Sequence, residues 1–144
     1  MSNSTVQAAF LLAQLETLDR HASERAPLWN AYWEGFSGLA DRGVLARPRI
    51  DPDRKLNHHA FFVVFPSFEE CERVRLHLKA KEIAAYIGYV PLHSSKVGRA
   101  MGYSPEDLPI TEDYSRRVLR MPLHHELTVQ DVETVCREVG ACFG

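Results

Sequence analysis

Tyr89 and His93 bracket Pro91 in the run Gly88-Tyr-Val-Pro-Leu-His93, and they are the side chains of this sequence best suited to holding a ligand. A phenol hydroxyl and an imidazole can each donate and accept, so both suit hydroxyl groups or phosphate oxygens. The structural alternative is that Tyr89 packs on a sheet and His93 satisfies a loop carbonyl, as buried polar groups commonly do. His59 carries the same two readings, the structural one favoured by its place just before an apolar run. Lys55, Lys79, Lys81 and Lys96 are the lysines, and none falls in the apolar setting that makes an amine nucleophilic. No residue is therefore expected to be catalytic. Seven histidines raise the question of a metal. His58-His59 and His124-His125 are adjacent pairs, however, and neighbours on a strand point to opposite faces. No His-x-x-x-His or Cys-x-x-Cys spacing accompanies them, so no metal site is expected. Arg116, Arg117 and Arg120 suggest phosphate binding, but a solvated face is the expected reading. Cys71, Cys136 and Cys142 read as reduced thiols acting as small hydrophobes.

The elements that position these residues follow from periodicity. From Ser4 to about Leu39, Val6, Phe10, Ala13, Leu18, Trp29, Trp33 and Phe36 recur at helical spacing and predict an apolar stripe. Pro27 removes a backbone donor, which predicts a kink or break near Ala26, and Gly43 suits a helix stop. Val44 to Asn57 is a polar, proline-containing connector. His58 to Phe65 then reads as a strand stopped by Pro66. Ser67 and Glu70 predict a capped helix to about Lys81, with Val74 and Leu78 inward. Ala84 to Val90 is a second strand, and His93 to Pro109 a loop with Gly98 and Gly102. Thr111 to Arg116 is a short helix, and Val118 to Met121 a third strand ended by Pro122. Thr128 and Asp131 cap a last helix whose inner face is Val132, Val135 and Val139. The order is α, β, α, β, α, β, α, an α+β class with a small sheet covered by helices. A helical segment 1–43 and an α/β unit 44–144 are expected to form one structural domain.

The bulk properties exclude several roles. The chain has 144 residues, 45% hydrophobic and 25% charged, the mix of a globular domain. A net charge of −2 gives no footprint for nucleic acid. No apolar run reaches the roughly eighteen residues of a membrane span, and the N-terminal residues lack the pattern of a secretory signal. A cytoplasmic protein, with no membrane partner, is expected.

Several segments together resemble one family. They are Gln7-Ala8-Ala9 with Ala13-Gln14-Leu15, then Leu28-Trp29 with Tyr32, and Asn57-His58-His59-Ala60-Phe61-Phe62. Leu78 to Ile83, the turn Tyr89-x-Pro-Leu-His93, and Leu119 to Thr128 complete the set. In this order they resemble the C-terminal domain of the DegT/DnrJ/EryC1/StrS sugar-nucleotide aminotransferases, and among branches the dTDP-4-oxo-6-deoxyglucose transaminases of lipopolysaccharide and surface-polysaccharide synthesis. The resemblance implies a long N-terminal helix and a small, mainly antiparallel sheet of three or four strands, like the small domain of fold-type I enzymes. It implies pyridoxal phosphate (PLP) as the cofactor of the full-length enzyme, with its Schiff-base lysine upstream of the Gln7-Ala8-Ala9 helix. This chain is accordingly expected to hold no cofactor and to be inactive alone. It also implies that His59, Tyr89 and His93 face a nucleotide-sugar, and that the partner is a second copy or an N-terminal PLP-binding half. The sequence departs from the family pattern at Thr5, where an acidic residue is usual, at Gly88, where a histidine is usual, and at His125, where a proline is usual. The family's asparagine and arginine would fall at or before Met1, so their contributions are expected to be lost or replaced by Ser2-Asn3-Ser4. A stand-alone nucleotide-sugar module and a non-catalytic remnant are the alternatives.

Overall fold

The computed structural model describes residues 4–144; Met1, Ser2 and Asn3, and what they replace in the family pattern, lie outside the described residues. Three helices in line open the chain: α1 (Thr5–Glu16), α2 (Leu18–Gly35) and α3 (Ser37–Asp41). The break falls at Thr17, not near Ala26. The Thr17 hydroxyl donates to the carbonyls of Ala13 and Gln14, at 3.1 and 3.2 Å, and so competes with the helical ladder. Pro27 stays inside α2. A proline costs a helix interior about 3 kcal/mol. Leu28, Trp29 and Tyr32, all on the next turn, are buried, and each contributes roughly 1.5–3 kcal/mol by leaving water. Burial wins.

The expected stripe divides at the same point. Trp29 and Phe36 are core residues, whereas Val6, Phe10 and Leu18 remain exposed and α1 buries nothing. α1 is apolar around its circumference, so no single face could have been assigned inward from the sequence.

The sheet has three strands, β1 (Phe61–Val64), β2 (Tyr86–Ile87) and β3 (Val118–Met121), in the order β1-β3-β2 and antiparallel throughout. Phe61 pairs with Met121 and Val63 with Leu119, and these four point to the buried face. β1 and β2 are shorter than the runs that suggested them. His58, at φ 49°, and an Asn57 side chain accepting from the His59 amide turn the chain before β1 begins. β2 is an edge strand whose only partner is four residues long.

The core lies between the inner face of the sheet and the helices α2, α4 (Phe68–Ala80) and α7 (Val129–Ala141). Phe61 is its centre: the rings of Tyr32, Trp29 and Phe36 lie 5.1, 5.2 and 6.0 Å from it. The polar ends of these aromatics are satisfied as burial requires. The Trp29 indole donates to the Ala60 carbonyl at 3.1 Å, and the Tyr32 hydroxyl to the Pro122 carbonyl at 2.9 Å. Ser67 and Thr128 cap α4 and α7 as their sequences predict. Burial pushes the Cys71 and Cys136 thiols up to about 12, so both are inert packing groups.

Tyr32→Phe, which strands the Pro122 carbonyl, is expected to cost about 1–3 kcal/mol, read as a shifted urea midpoint at unchanged slope. The Thr128 side chain and backbone hold the Asp131 carboxylate below its ordinary range. A depressed carboxylate contributes stability above its unfolded pKa, and that contribution disappears as pH falls through the folded value. Acid melting curves of wild type and Asp131→Asn should therefore converge at low pH and separate above the usual aspartate range.

Candidate functional site

One face of the sheet is closed by helices, and the other is open. Phe62, Arg120 and Tyr86 lie side by side across that open face, because β1, β3 and β2 register them as neighbours. Alternation alone puts them there: Leu119 and Met121 point into the core, so Arg120 points away. The chain after β2 runs through Gly88 to Tyr89, and the Gly88 amide donates to the Val118 carbonyl at 2.7 Å. A Cβ at Gly88 would sit 3.3 Å from the Val118 Cβ, so the glycine lets this turn lie close against β3.

A groove of about 540 Å³ results, with His59, Phe62, Tyr89, Tyr114 and Arg120 among its lining residues. It continues across Arg120 and His59 into a second cleft of about 420 Å³ that reaches Tyr86 and His124. The Arg120 guanidinium donates to the Tyr89 hydroxyl at 2.5 Å and lies 4.7 Å from the centre of the tyrosine ring. Of the three expected site residues, His59 and Tyr89 meet in this groove.

His93 does not join them. It is buried under the loop that follows, in the wall of an adjoining cleft of about 1080 Å³ with Met101, Tyr103, Leu108 and Thr111. Its Nε2 lies 3.2 Å from the Glu112 Oε1, yet the angles are not those of a hydrogen bond, and both atoms are buried without such a partner. The loop carries more order than its sequence suggested. It contains α5 (Lys96–Ala100), capped by Ser95, and a 3-10 turn at Pro105–Asp107. The next helix, α6 (Pro109–Arg117), starts with Pro109 in its first turn rather than at Thr111.

The arginines separate by role. Arg116 is exposed, as expected. Arg117 is engaged by the Asp113 carboxylate and donates to the Phe65 carbonyl at 2.8 Å. That ion pair holds Asp113 below the ordinary carboxylate range. Arg120 is the residue the sequence reading set aside, and the structure puts it at the middle of the groove. The available signal was the alternation Leu119-Arg120-Met121, a cation between two core positions of a strand.

The chemistry open to this arrangement is binding. Neither groove lining contains a carboxylate, so there is no carboxylate pair to act as general acid and base. All four lysines are exposed and none lines the groove, so the described residues do not fit a Schiff-base site for PLP. Among the described residues no group of three His, Cys, Asp or Glu side chains is placed to hold a metal ion. No helix of the described residues is long and apolar enough to cross a membrane.

Comparison with known proteins gives a consistent result. The model of the DegT/DnrJ/EryC1/StrS aminotransferase family matches residues 2–140. A dTDP-3-amino-3,4,6-trideoxy-alpha-D-glucose transaminase of Streptomyces venezuelae is 32% identical over 119 residues, 82% of this chain and 30% of that protein. A dTDP-4-dehydro-2,3,6-trideoxy-D-glucose 4-aminotransferase of Saccharopolyspora spinosa is 31% identical, over 91% of this chain and 32% of that protein. The chain thus spans about a third of the length of the curated relatives it matches. Among solved structures, S. venezuelae DesV in complex with a ketimine intermediate superposes at a TM-score of 0.80 and 28% identity. That match covers 94% of this chain and 35% of DesV. An aminotransferase from Psychrobacter cryohalolentis shares the fold alone, at TM-score 0.81 and 15% identity, over 95% of this chain and 38% of that one.

Gly98 fixes the wall that holds His93. A Cβ there would lie 2.3 Å from the backbone oxygens of both Leu92 and His93. Gly98→Ala is expected to displace the loop and cost about 1–3 kcal/mol. Urea denaturation measures the loss, and the His93 ring resonances should move with it.

Proposed function

Because the chain belongs to the DegT/DnrJ/EryC1/StrS aminotransferase family, we propose that it is the C-terminal small domain of a PLP-dependent aminotransferase acting on a nucleotide-linked keto-sugar. The observation that carries this reading is the groove on the open sheet face. It offers a tyrosine hydroxyl, an imidazole and a guanidinium to a ligand, and no lysine to a cofactor. Such a surface suits one wall of an active site whose reactive amine belongs to another stretch of protein. The cofactor supplies the electron sink for amino transfer, and the groove holds the substrate.

In this reading Tyr89 and His59 contact the sugar-nucleotide, and His93 acts one layer behind, bracing the loop from which Tyr89 projects. The helical segment 1–43 and the unit 44–144 work as one body, joined by the rings of α2 packed around Phe61. The exposed apolar surface of α1, with Phe10 at 69% and Leu15 at 56% exposure, supports a role in assembly as a dimer or with a lysine-bearing half. We assign the product to lipopolysaccharide or other surface-polysaccharide synthesis in the cytoplasm, and we assign no activity to this chain alone. A second reading, a stand-alone nucleotide-sugar module, draws support from a groove that gathers a tyrosine, a histidine and an arginine.

Mixing the chain with a separately produced, PLP-bearing N-terminal half tests the first reading. A shift in the cofactor's absorbance and amino transfer from glutamate to a dTDP-keto-sugar are expected. No activity at any mixing ratio would count against it. In the reconstituted enzyme Tyr89→Phe should lower kcat/KM about tenfold, or ~1.4 kcal/mol of transition-state binding.

A further inference from the structure

We propose that His93 and Glu112 form a proton-dependent latch that closes one end of the groove, and that Glu112 is thereby a positioning residue for the ligand held there. The proposal deepens the reading above and rests on it for the ligand, a nucleotide-linked sugar.

The pair sits under a shared ridge. Leu92 and Thr111 line both the groove on the open sheet face and the adjoining cleft of about 1080 Å³, so they stand between the two. His93 follows Leu92 directly, and Glu112 follows Thr111. The ridge therefore has one strut on the turn after β2 and one on α6, and the struts meet with His93 Nε2 and Glu112 Oε1 3.2 Å apart. A change in how His93 meets Glu112 is passed to the two halves of the ridge.

The contact itself is unfinished. Both atoms are buried, and neither has a hydrogen-bond partner among the described residues. Buried polar atoms left in that state are costly. A bare imidazole nitrogen presents a lone pair to the carboxylate and repels it, whereas an N–H at the same place donates to it. The proton decides the sign of the contact. With only 7% of the His93 side chain exposed, water does little to screen either effect. The chain also holds the closed form of this chemistry: His77 Nε2 and Glu138 Oε2, between α4 and α7, are hydrogen-bonded at 3.0 Å. His93 and Glu112 lack the angle rather than the reach.

Neighbouring charges are engaged elsewhere. In the cleft, the Asp107 carboxylate accepts from the Ser104 amide at 2.7 Å. Arg99 of α5 donates to the Ser94 carbonyl at 2.9 Å, and Asp113 of α6 is held by Arg117. Lys96, Tyr103 and Glu106 are exposed, and His59, Tyr89 and Arg120 line the groove alone. Glu112 is thus the carboxylate that answers His93.

Histidine is the side chain suited to exchanging a proton near neutral pH. Uptake joins the struts, seats Leu92 against Thr111 and gives the groove a closed end, where more of a ligand's surface leaves water. Loss of the proton, as pH rises, parts them and lets the groove run on into the apolar cleft. The closed form holds the ligand more tightly, and the ligand by linkage favours the proton.

The test is an NMR pH titration of the full chain, with and without dTDP-glucose, alone and mixed with the lysine-bearing half. In the wild type the His93 ring, the Glu112 carboxyl carbon and the amides of Leu92 and Thr111 should titrate together. dTDP-glucose should bind about 5-fold more tightly on the acid side of that transition. Glu112→Gln should still bind it but lose the pH dependence, and Glu112→Asp, which keeps the charge, should recover part of it. A merely structural role for Glu112 would lower the melting temperature and leave the pH dependence in place. Far-ultraviolet dichroism establishes that each variant is folded; if Glu112→Gln is not, the wild-type carboxyl carbon and Glu112→Asp decide. A His93 ring that keeps one protonation state wherever the chain is folded, Leu92 and Thr111 amides indifferent to that ring, or an unchanged pH dependence in Glu112→Gln would each overturn the latch. Coupled titration with no binding of dTDP-glucose in either setting would keep the latch and remove the nucleotide-sugar reading. Binding that does not vary with pH would do the reverse.

Discussion

The ring of Phe61 is the interaction on which the rest of this structure depends. Trp29 and Tyr32 of α2 and Phe36 at its C-terminal cap surround it, and hydrogen bonds from Trp29 and Tyr32 tie that helix to the ends of β1 and β3. Aromatic packing alone is tolerant of rotation and slip. The two backbone hydrogen bonds remove that tolerance, since each requires a particular depth and angle of approach. The helix that follows α1 is thereby locked to the sheet in one register.

That lock explains why the sheet works from one side only. α2, α4 and α7 are all drawn to the inner face, and α6 only borders the outer one, where it supplies Thr111, Tyr114 and Ser115 to the groove wall. A three-stranded sheet of this size then has one solvated face whose residues are free to be chosen for binding. Phe62, Arg120 and Tyr86 occupy it in a row, set by pairing across three strands far apart in the sequence. The groove follows from a sheet with too few helices to cover both faces.

Much of this was legible beforehand, for local reasons. Ser67 and Thr128 act within four residues of themselves, so their caps could be read directly. Val118 to Met121 alternates and is stopped by Pro122, and the strand has those bounds. Failures came where distant contacts decide. Pro27 reads as a breaker, yet the core beside it outweighs its cost, while the unremarked Thr17 ends α1. Tyr89 and His93 are four residues apart and fall in different clefts, because the turn at Pro91 sends one outward and buries the other. Arg120 was discounted because it was grouped with Arg116 and Arg117 of the preceding helix; its neighbours in space are aromatic.

α1 carries a consequence of its own. A helix of 12 residues that buries none of them draws no stability from the body to which it is attached. Helices of that length are marginal in water, since nucleation is costly and few bonds follow it. Any protein surface that covered it would stabilise its winding as well, so the two would form a single equilibrium governed by mass action and sensitive to dilution.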